Sequence, residues 1–500
     1  MLKGIGICTL MLLTGCNLLP TAFTPQERLD NLASDINTLN AVRPPLQGEL
    51  SLNHAIARAL KYNLDYRIKL AEQAIAQTDM SVSNLNMLPN LVAHAGYVDR
   101  SNINAVLSPI TNQVSTAEDR VRRLADLSFS WNVLDFGVSY FESKQKADQV
   151  MIAEQQKRKM IQRLSKDTRK AFWRAIAAAR YAELSRGFDT ELKNAIKNSE
   201  KAEHDKLMTP IDASRYRRDL WLVYNQILQL HFELARFKPE LMALISAPSR
   251  SLLKLKVTRF ERIDFENNLP TQLDKLEQLA LYYRPELQEE NYRKRIGLNE
   301  VNKARLRMLP GFEINYGGYY DSNSYLVNNQ WNQLSLSLSW NIIKIMSNAK
   351  SYRLAQQQTL LADIRRVALS MAIVTQVDIA KLSYVYSKDN AFTNSKMLEN
   401  ERNVYQNLLK QKGKLASQFS ITKARAAFIL AQLRYDLAYA DFQTASAELA
   451  DSLGLNPVYK ATCMDLTVEE LTKVIDKVSV EPIYKQKHVE EVLAKMPSVA

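Results

Sequence analysis

Leu334-Ser335-Leu336-Ser337-Leu338-Ser339-Trp340-Asn341 alternates apolar and polar side chains without a break. Period two is the signature of a β-strand with one apolar and one polar face. Phe312, Ile314, Tyr316 and Tyr320 alternate in the same sense with Glu313, Asn315 and Asp321. Leu127, Phe129, Trp131 and Val133 do so with Ser128, Ser130 and Asn132, whereas the stretch from Leu91 to Tyr97 is less regular. A half-buried sheet in water and a barrel strand with its apolar side toward lipid both satisfy this pattern.

The quoted stretch is the second copy of something. Ser128-Phe129-Ser130-Trp131-Asn132 returns as Ser337-Leu338-Ser339-Trp340-Asn341 at an offset of 209. Met87-Leu88-Pro89 returns as Met308-Leu309-Pro310 at an offset of 221, where Asp65 also meets Glu286, and Lys206-Leu207 returns as Lys414-Leu415 at 208. The order is kept through a whole half-chain, so the sequence is a twofold duplication and not a solenoid. Between the Pro and Trp landmarks the first copy carries 12 more residues than the second, which marks a variable loop. Each half reads helix, strand, loop, strand, very long helix, short turn, helix. The division is a leader at 1–15, an N-terminal segment at 16–48, repeats at 49–248 and 273–455, a connecting segment at 249–272 and a tail at 456–500.

Glycine and proline placement sets the length of the helices. The chain has 500 residues with only 13 Gly, is 46% hydrophobic and 24% charged, and carries a formal charge of +13. Residues 138–209 contain one Gly, Gly187, and 345–412 contain neither Gly nor Pro, so each window supports one uninterrupted helix. At about 1.5 Å per residue such a helix spans on the order of 100 Å, which requires an elongated bundle and disfavours a single rounded enzyme domain. Leu361, Ile364, Ala368 and Met371, and again Leu430, Leu433, Leu437 and Ala440, are spaced 3, 4 and 3 apart. That spacing fits a coiled-coil seam or an ordinary buried stripe. Helices near 52–88 and 211–246 match the long helix in combined length and are expected to lie along it end to end, with a break or kink at Pro239 whose counterpart is Ala447.

The N-terminus reads as an export signal: Met1-Leu2-Lys3 is a short basic start and Gly4 to Leu13 is apolar. It closes with Leu13-Thr14-Gly15-Cys16, which resembles the lipobox of bacterial lipoproteins and implies cleavage before Cys16 and lipidation of its thiol and amino group. Asn17 resembles the residue after the cysteine in lipoproteins sorted to the outer membrane; an uncleaved apolar N-terminus is the alternative. Cys8 would leave with the leader and Cys16 would join the lipid, leaving Cys463 and no disulfide framework. No later run of 18 apolar residues occurs, so no transmembrane helix is expected. Export makes barrel strands the favoured reading, yet four strands cannot close a barrel when the smallest known have about eight. Several chains must contribute.

Lipobox, duplication and paired helix-strand units together resemble the TolC-like outer-membrane efflux channel family, particularly its lipid-anchored members, over residues 49–455. The local marks are Arg284-Pro285-Glu286-Leu287 opening a helix, the run into Met308-Leu309-Pro310, and the Leu336-to-Trp340 strand. The fold class is thus mostly α with β. The resemblance implies two tandem repeats of long coiled-coil helices and four transmembrane strands per chain, with a homotrimer closing a 12-stranded barrel in outer-membrane lipid and a helical tunnel crossing the periplasm. It also implies an inner-membrane pump and a periplasmic adaptor as partners, with no catalysis and no cofactor. An outer-membrane channel of type I protein secretion remains open, as does a non-channel helical structural lipoprotein.

In that family the second repeat's entrance turn has a Gly-Leu opening, an Asp-Val pair and a further Asp. Here it reads Lys414-Leu415-Ala416-Ser417-Gln418-Phe419-Ser420-Ile421-Thr422-Lys423-Ala424, with Ser420 and Lys423 where the acids are expected. The first repeat keeps Asp212, between Lys206 and Arg215. From Arg402 to Arg434 there are seven bases and no acid. Tripled in a trimer, these bases form either an anion-favouring ring at the tunnel entrance or a solvated, adaptor-facing surface.

Other signals carry less. Asp135-Phe136-Gly137 matches a kinase tripeptide without a Gly-rich loop or catalytic loop, and Gly137 is read as the strand-to-helix transition. His54, His94, His204, His231 and His488 lack ligand spacing, so no metal or catalytic site is expected. Arg215, Arg217 and Arg218 beside Tyr216 and Trp221 raise nucleic acid, which export argues against. Helical spacing places their charges outward and the aromatics against a neighbour. The tail after Pro457 reads as mixed helix and linker.

Overall fold

The computed structural model describes residues 21–46, 48–248, 251–256, 273–411, 418–455 and 466–479. In the first repeat α2 (Leu52–Tyr62) and α3 (Leu64–Leu85) lead to strands β2 (Asn90–Asp99) and β5 (Val121–Asn132). Helices α4 (Val133–Leu184), α5 (Phe188–His204), α6 (Pro210–Ala235) and α7 (Phe237–Leu244) follow. The second repeat is α8 (Leu273–Tyr283), α9 (Pro285–Leu306), β7 (Gly311–Asp321), β8 (Gln330–Ser339), α10 (Ile342–Lys410) and α11 (Gln418–Ser452). Outside this plan lie α1 (Pro25–Val42), a hairpin of β3 (Asn104–Leu107) with β4 (Val114–Glu118), a parallel pair of β1 (Glu49–Leu50) with β6 (Lys254–Leu255), and α12 (Val468–Ser479). The hairpin fills the longer loop of the first copy.

The duplication extends to individual atoms. Asn132 caps α4 by accepting from the backbone N–H of Leu134 and Asp135, and Asn341 caps α10 by accepting from that of Lys344. These caps satisfy N–H groups that have no intrahelical partner. The strand-to-helix transition therefore sits at the asparagines. Gly137 lies inside α4, where a Cβ would come within 3.1 Å of the Leu306 side chain, and the expectation placed on it is corrected accordingly. At the other end of each repeat, Ser246 and Gly454 share the 208-residue offset and both take left-handed backbones, with φ of 49° and 71°.

Helix α10 runs 69 residues, close to the full Gly- and Pro-free window, and spans roughly 100 Å. The first window does not hold one helix. It breaks after Leu184, and Gly187, at φ 74°, turns the chain so that Phe188 enters the core. A helix cannot continue through a left-handed residue, and glycine takes that conformation without a Cβ clash. On the return arm the break falls at Arg236, with Pro239 in the first turn of α7. Pro239 has no N–H for the Ala235 carbonyl four residues back, so α6 ends there. In the second copy α11 passes Ala447 without interruption.

The two seams differ. Leu433 and Ala440 are buried inside the chain, Leu433 against α5 and α6, and Ala440 in the core that Phe172, Trp173 and Tyr439 share. Leu361, Ile364 and Met371 are 45%, 58% and 69% exposed, so that seam has no cover among the described residues of one chain. The largest core lies where α2 meets α4, α7, α11 and the tail helix α12, with Leu471 and Ile475 buried and Asn53 donating to Asp476 at 2.6 Å. Part of the tail is therefore integral to the first repeat.

Strands β2, β5, β7 and β8 form one antiparallel sheet in that order. Leu91 pairs with Phe129, Phe129 with Tyr316 and Tyr316 with Leu334, which gathers the apolar side chains on one face. Asn90, Ser130, Asn315 and Ser335 line up on the other. The irregular stretch near Leu91 pairs with β5 along its whole length. No helix among the described residues is long and apolar enough to cross a membrane.

Candidate functional site

The sheet carries the first candidate surface. Its apolar face is open: Leu334, Leu336 and Leu338 are all more than 60% exposed, and Leu91, Leu127 and Tyr316 are exposed beside them. The opposite face holds Ser128, Ser130, Asn132, Glu313, Asn315, Ser335 and Ser337, with His94 Nδ1 3.1 Å from Asp126 Oδ2 across the β2–β5 pair. Both outer strands, β2 and β8, have an edge with no neighbouring strand among the described residues. At the end remote from the long helices, Asn323 Nδ2 donates to the Ala117 carbonyl and Asn323 Oδ1 accepts from the Asp119 N–H. Ser324 Oγ donates to Asp119 at 2.9 Å, so the turns of the two repeats are tied together.

The second candidate surface is the helix tips. Lys206, at φ 56°, turns the chain out of α5, and Leu207 beside it is 80% exposed. Thr209 caps α6: its hydroxyl accepts from the Asp212 N–H at 3.1 Å and donates to Asp212 Oδ2 at 2.7 Å. The carboxylate retained in the first repeat thus closes a helix start, where it also complements the helix dipole. Arg215 is exposed one turn on, Arg217 bonds Glu203 and Arg218 bonds Asp219. Tyr216 is half-buried against the tip core, as expected, but Trp221 is exposed and touches Tyr224 edge-on, which corrects the expectation that it packs inward. Lys414 and the lipidation candidate Cys16 lie outside the described residues. Ser420 is half-buried and Lys423 exposed on the first turns of α11. Lys423 borders an apolar cleft of about 220 Å³ shared with Leu192, Asp219 and Val223, so the structure brings it to α5 and α6.

Sequence reading missed Glu191. Its carboxylate accepts from Thr422 Oγ1 at 3.1 Å and from the Arg425 guanidinium, which also lies 5.2 Å over the Phe188 ring. The acid-free run from Arg402 to Arg434 is therefore answered, at Arg425, by an acid more than 200 residues earlier. No local signal could have found it. Further up, Asp436 of α11 accepts from Arg180 of α4 at 2.9 Å and from Gln432 at 2.9 Å, both at Oδ1. Burial pushes the Asp436 carboxyl up to about 6, against the opposing charge of Arg180 and the Gln432 hydrogen bond. Among the described residues no group of three or more His, Cys, Asp or Glu side chains is placed to hold a metal.

Two duplicated units of long paired helices around a four-stranded antiparallel sheet make this the fold of TolC-like outer-membrane channels. Solved structures agree. The CmeC outer membrane channel of Campylobacter jejuni superposes with a TM-score of 0.66 at 13% identity, over 86% of this chain and 89% of that one. The outer membrane protein VceC of Vibrio cholerae gives 0.63 at 13%, over 81% and 96%. The MtrE outer membrane channel of Neisseria gonorrhoeae gives 0.60 at 15%, over 81% and 88%. At these identities the likeness is one of fold. No protein-family model matches the sequence, and no curated protein matches it.

Proposed function

We propose that the protein is a passive outer-membrane channel of a tripartite efflux system. Three copies close one barrel from four strands each and continue it as a helical tunnel, anchored by lipid at Cys16. A periplasmic adaptor joins the tunnel entrance to an inner-membrane pump, which supplies the driving force. The observation that carries this reading is the sheet: two unpaired edges, an exposed apolar face and a polar face on one four-stranded element. Exposed edges and apolar faces are unstable in water, and closure in lipid removes both. The open seam on α10 supplies a second surface that needs another copy.

At the entrance, the bases of α10 and α11 outnumber acids even with Arg425 paired, and Asp212 is held in a helix cap. A cation-binding carboxylate ring is therefore not what closes it. Detergent-extracted protein is expected to sediment as a trimer and to give discrete conductance steps in planar bilayers. A trimer without conductance would overturn the channel reading. Strong cation selectivity lost on Asp212→Asn alone would overturn the account of the entrance.

A further inference from the structure

The polar face of the sheet changes character along its length. Toward the long helices, one cross-strand row reads Asn90, Ser130, Asn315 and Ser335, and the next reads Val92, Ser128, Gly317 and Gln333. The third row is His94, Asp126, Tyr319 and Trp331. Small side chains thus give way, at one level, to two large rings and a carboxylate. Directly paired residues share a face, so the register gathers these four side chains from all four strands.

Two contacts give the row a built geometry. The Tyr319 and Trp331 rings stack with centroids 5.6 Å apart and 17° between their planes. Beneath Tyr319, Gly317 leaves the space that the ring takes: a Cβ at Gly317 would come within 3.0 Å of the Tyr319 Cζ and hydroxyl oxygen. A side chain there would lift the ring. Beside the stack, His94 Nδ1 lies 3.1 Å from Asp126 Oδ2, and no Lys or Arg pairs with Asp126 among the described residues. Asp321, further along this face, is by contrast taken by Arg122 at 3.2 Å. A lipid-facing aromatic girdle does not account for these rings, because they share the face of Asp126, whereas Tyr316, Tyr320 and Leu334 lie on the other. Core packing does not either, since Trp331 is 41% exposed.

We propose that this row is a binding belt for organic cations that carry a flat aromatic group, with the Tyr319–Trp331 stack as the platform and Asp126 as the counter-charge. It rests on the channel reading, in which three copies turn the polar face inward and repeat the row around one lumen. The negative face of an aromatic ring attracts a cation, and a flat ligand ring extends the stack, so both parts of such a molecule are met. An anion of the same shape gains the stacking and is repelled by Asp126. The basic residues of the helix tips do not set what binds here. Helix α10 alone separates the two levels by roughly 100 Å, against a screening length of about 8 Å at physiological salt.

Phenyltrimethylammonium is the probe, with tetramethylammonium as the control that lacks the ring and benzenesulfonate as the control of opposite charge. In calorimetric titration of the detergent-extracted assembly, the probe is expected to bind roughly tenfold more tightly than either control. Trp331→Ala and Asp126→Asn should each weaken it severalfold, and Gly317→Ala should weaken it by unseating Tyr319, whereas Trp331→Phe should hold it within about twofold. Equal binding of benzenesulfonate, or unchanged binding in Trp331→Ala, overturns the belt. Should Trp331→Ala fail to assemble, unchanged binding in Asp126→Asn is equally fatal. In planar bilayers the probe is expected to reduce the current through wild type more than through Trp331→Ala. A protein that conducts but neither binds the probe nor is blocked by it keeps the channel and loses the belt. Binding that responds to the variants in a protein that never conducts removes the channel reading and leaves the belt standing.

Discussion

At residue scale the duplicated chain uses one backbone shape with two side chains. Gly454 ends α11 at φ 71°, and a Cβ there would lie 2.6 Å from the Tyr283 carbonyl carbon and 2.8 Å from the Arg284 nitrogen. Ser246 ends α7 at φ 49° and fits, its hydroxyl donating to the Tyr62 carbonyl at 3.0 Å. Tyr62 and Tyr283 share the 221-residue offset, so the same joint is built twice with different clearance. Gly454→Ala combines a left-handed backbone with a backbone clash and is expected to cost roughly 3 kcal/mol in urea unfolding. Ser246→Gly trades a hydrogen bond for relieved strain and is expected to change stability by less than about 1 kcal/mol. A glycine after a long helix is legible as a C-terminal signal, and Gly454 could be read that way. A serine doing the same work could not. The capping asparagines were in view as the last letters of the repeated strand motif, whereas Glu191 was not, because its role depends on a helix that arrives 231 residues later at Thr422.

At the scale of elements, periodicity revealed which faces are apolar but not which partner covers them. The two seams have identical spacing, yet one is buried within the chain and the other is open. Spacing reports a need for cover, and only the packing of the other helices decides whether it comes from the same molecule. Likewise a lone Gly187 is compatible with a helix, and the break became visible only as a positive φ. If the open seam on α10 meets another copy, Ile364→Glu with Met371→Glu places charge in that contact without touching the core of the chain. Helicity by circular dichroism is expected to stay within a few per cent of wild type, while sedimentation shifts from trimer to monomer. A double variant that stays trimeric would place the seam on the solvent side of the assembly.

For the whole molecule, the sheet makes a demand that the helices do not. Long helices can be satisfied in water by bundling, but the four strands expose apolar Leu334, Leu336 and Leu338 on one side of an element whose other side is polar. This was the most legible part of the chain, because strict alternation fixes the face of every residue once one is known. Barrel closure is an expectation from arithmetic on strand number, and the helix tips were least legible of all, since their charge balance is set between repeats. The two faces give opposite expectations for one substitution on adjacent residues. Arg at Leu336 would put a cation toward hydrocarbon and is expected to lower the stability of the membrane-inserted assembly by about 2 to 4 kcal/mol, read from unfolding in liposomes. Arg at Ser337 would put the same cation on the polar face, where assembly should persist at near wild-type yield and reversal potentials in a salt gradient should shift toward anions. If both variants instead fold equally well and conduct alike, the alternation does not separate lipid from lumen, and the sheet must be covered by protein on its apolar side.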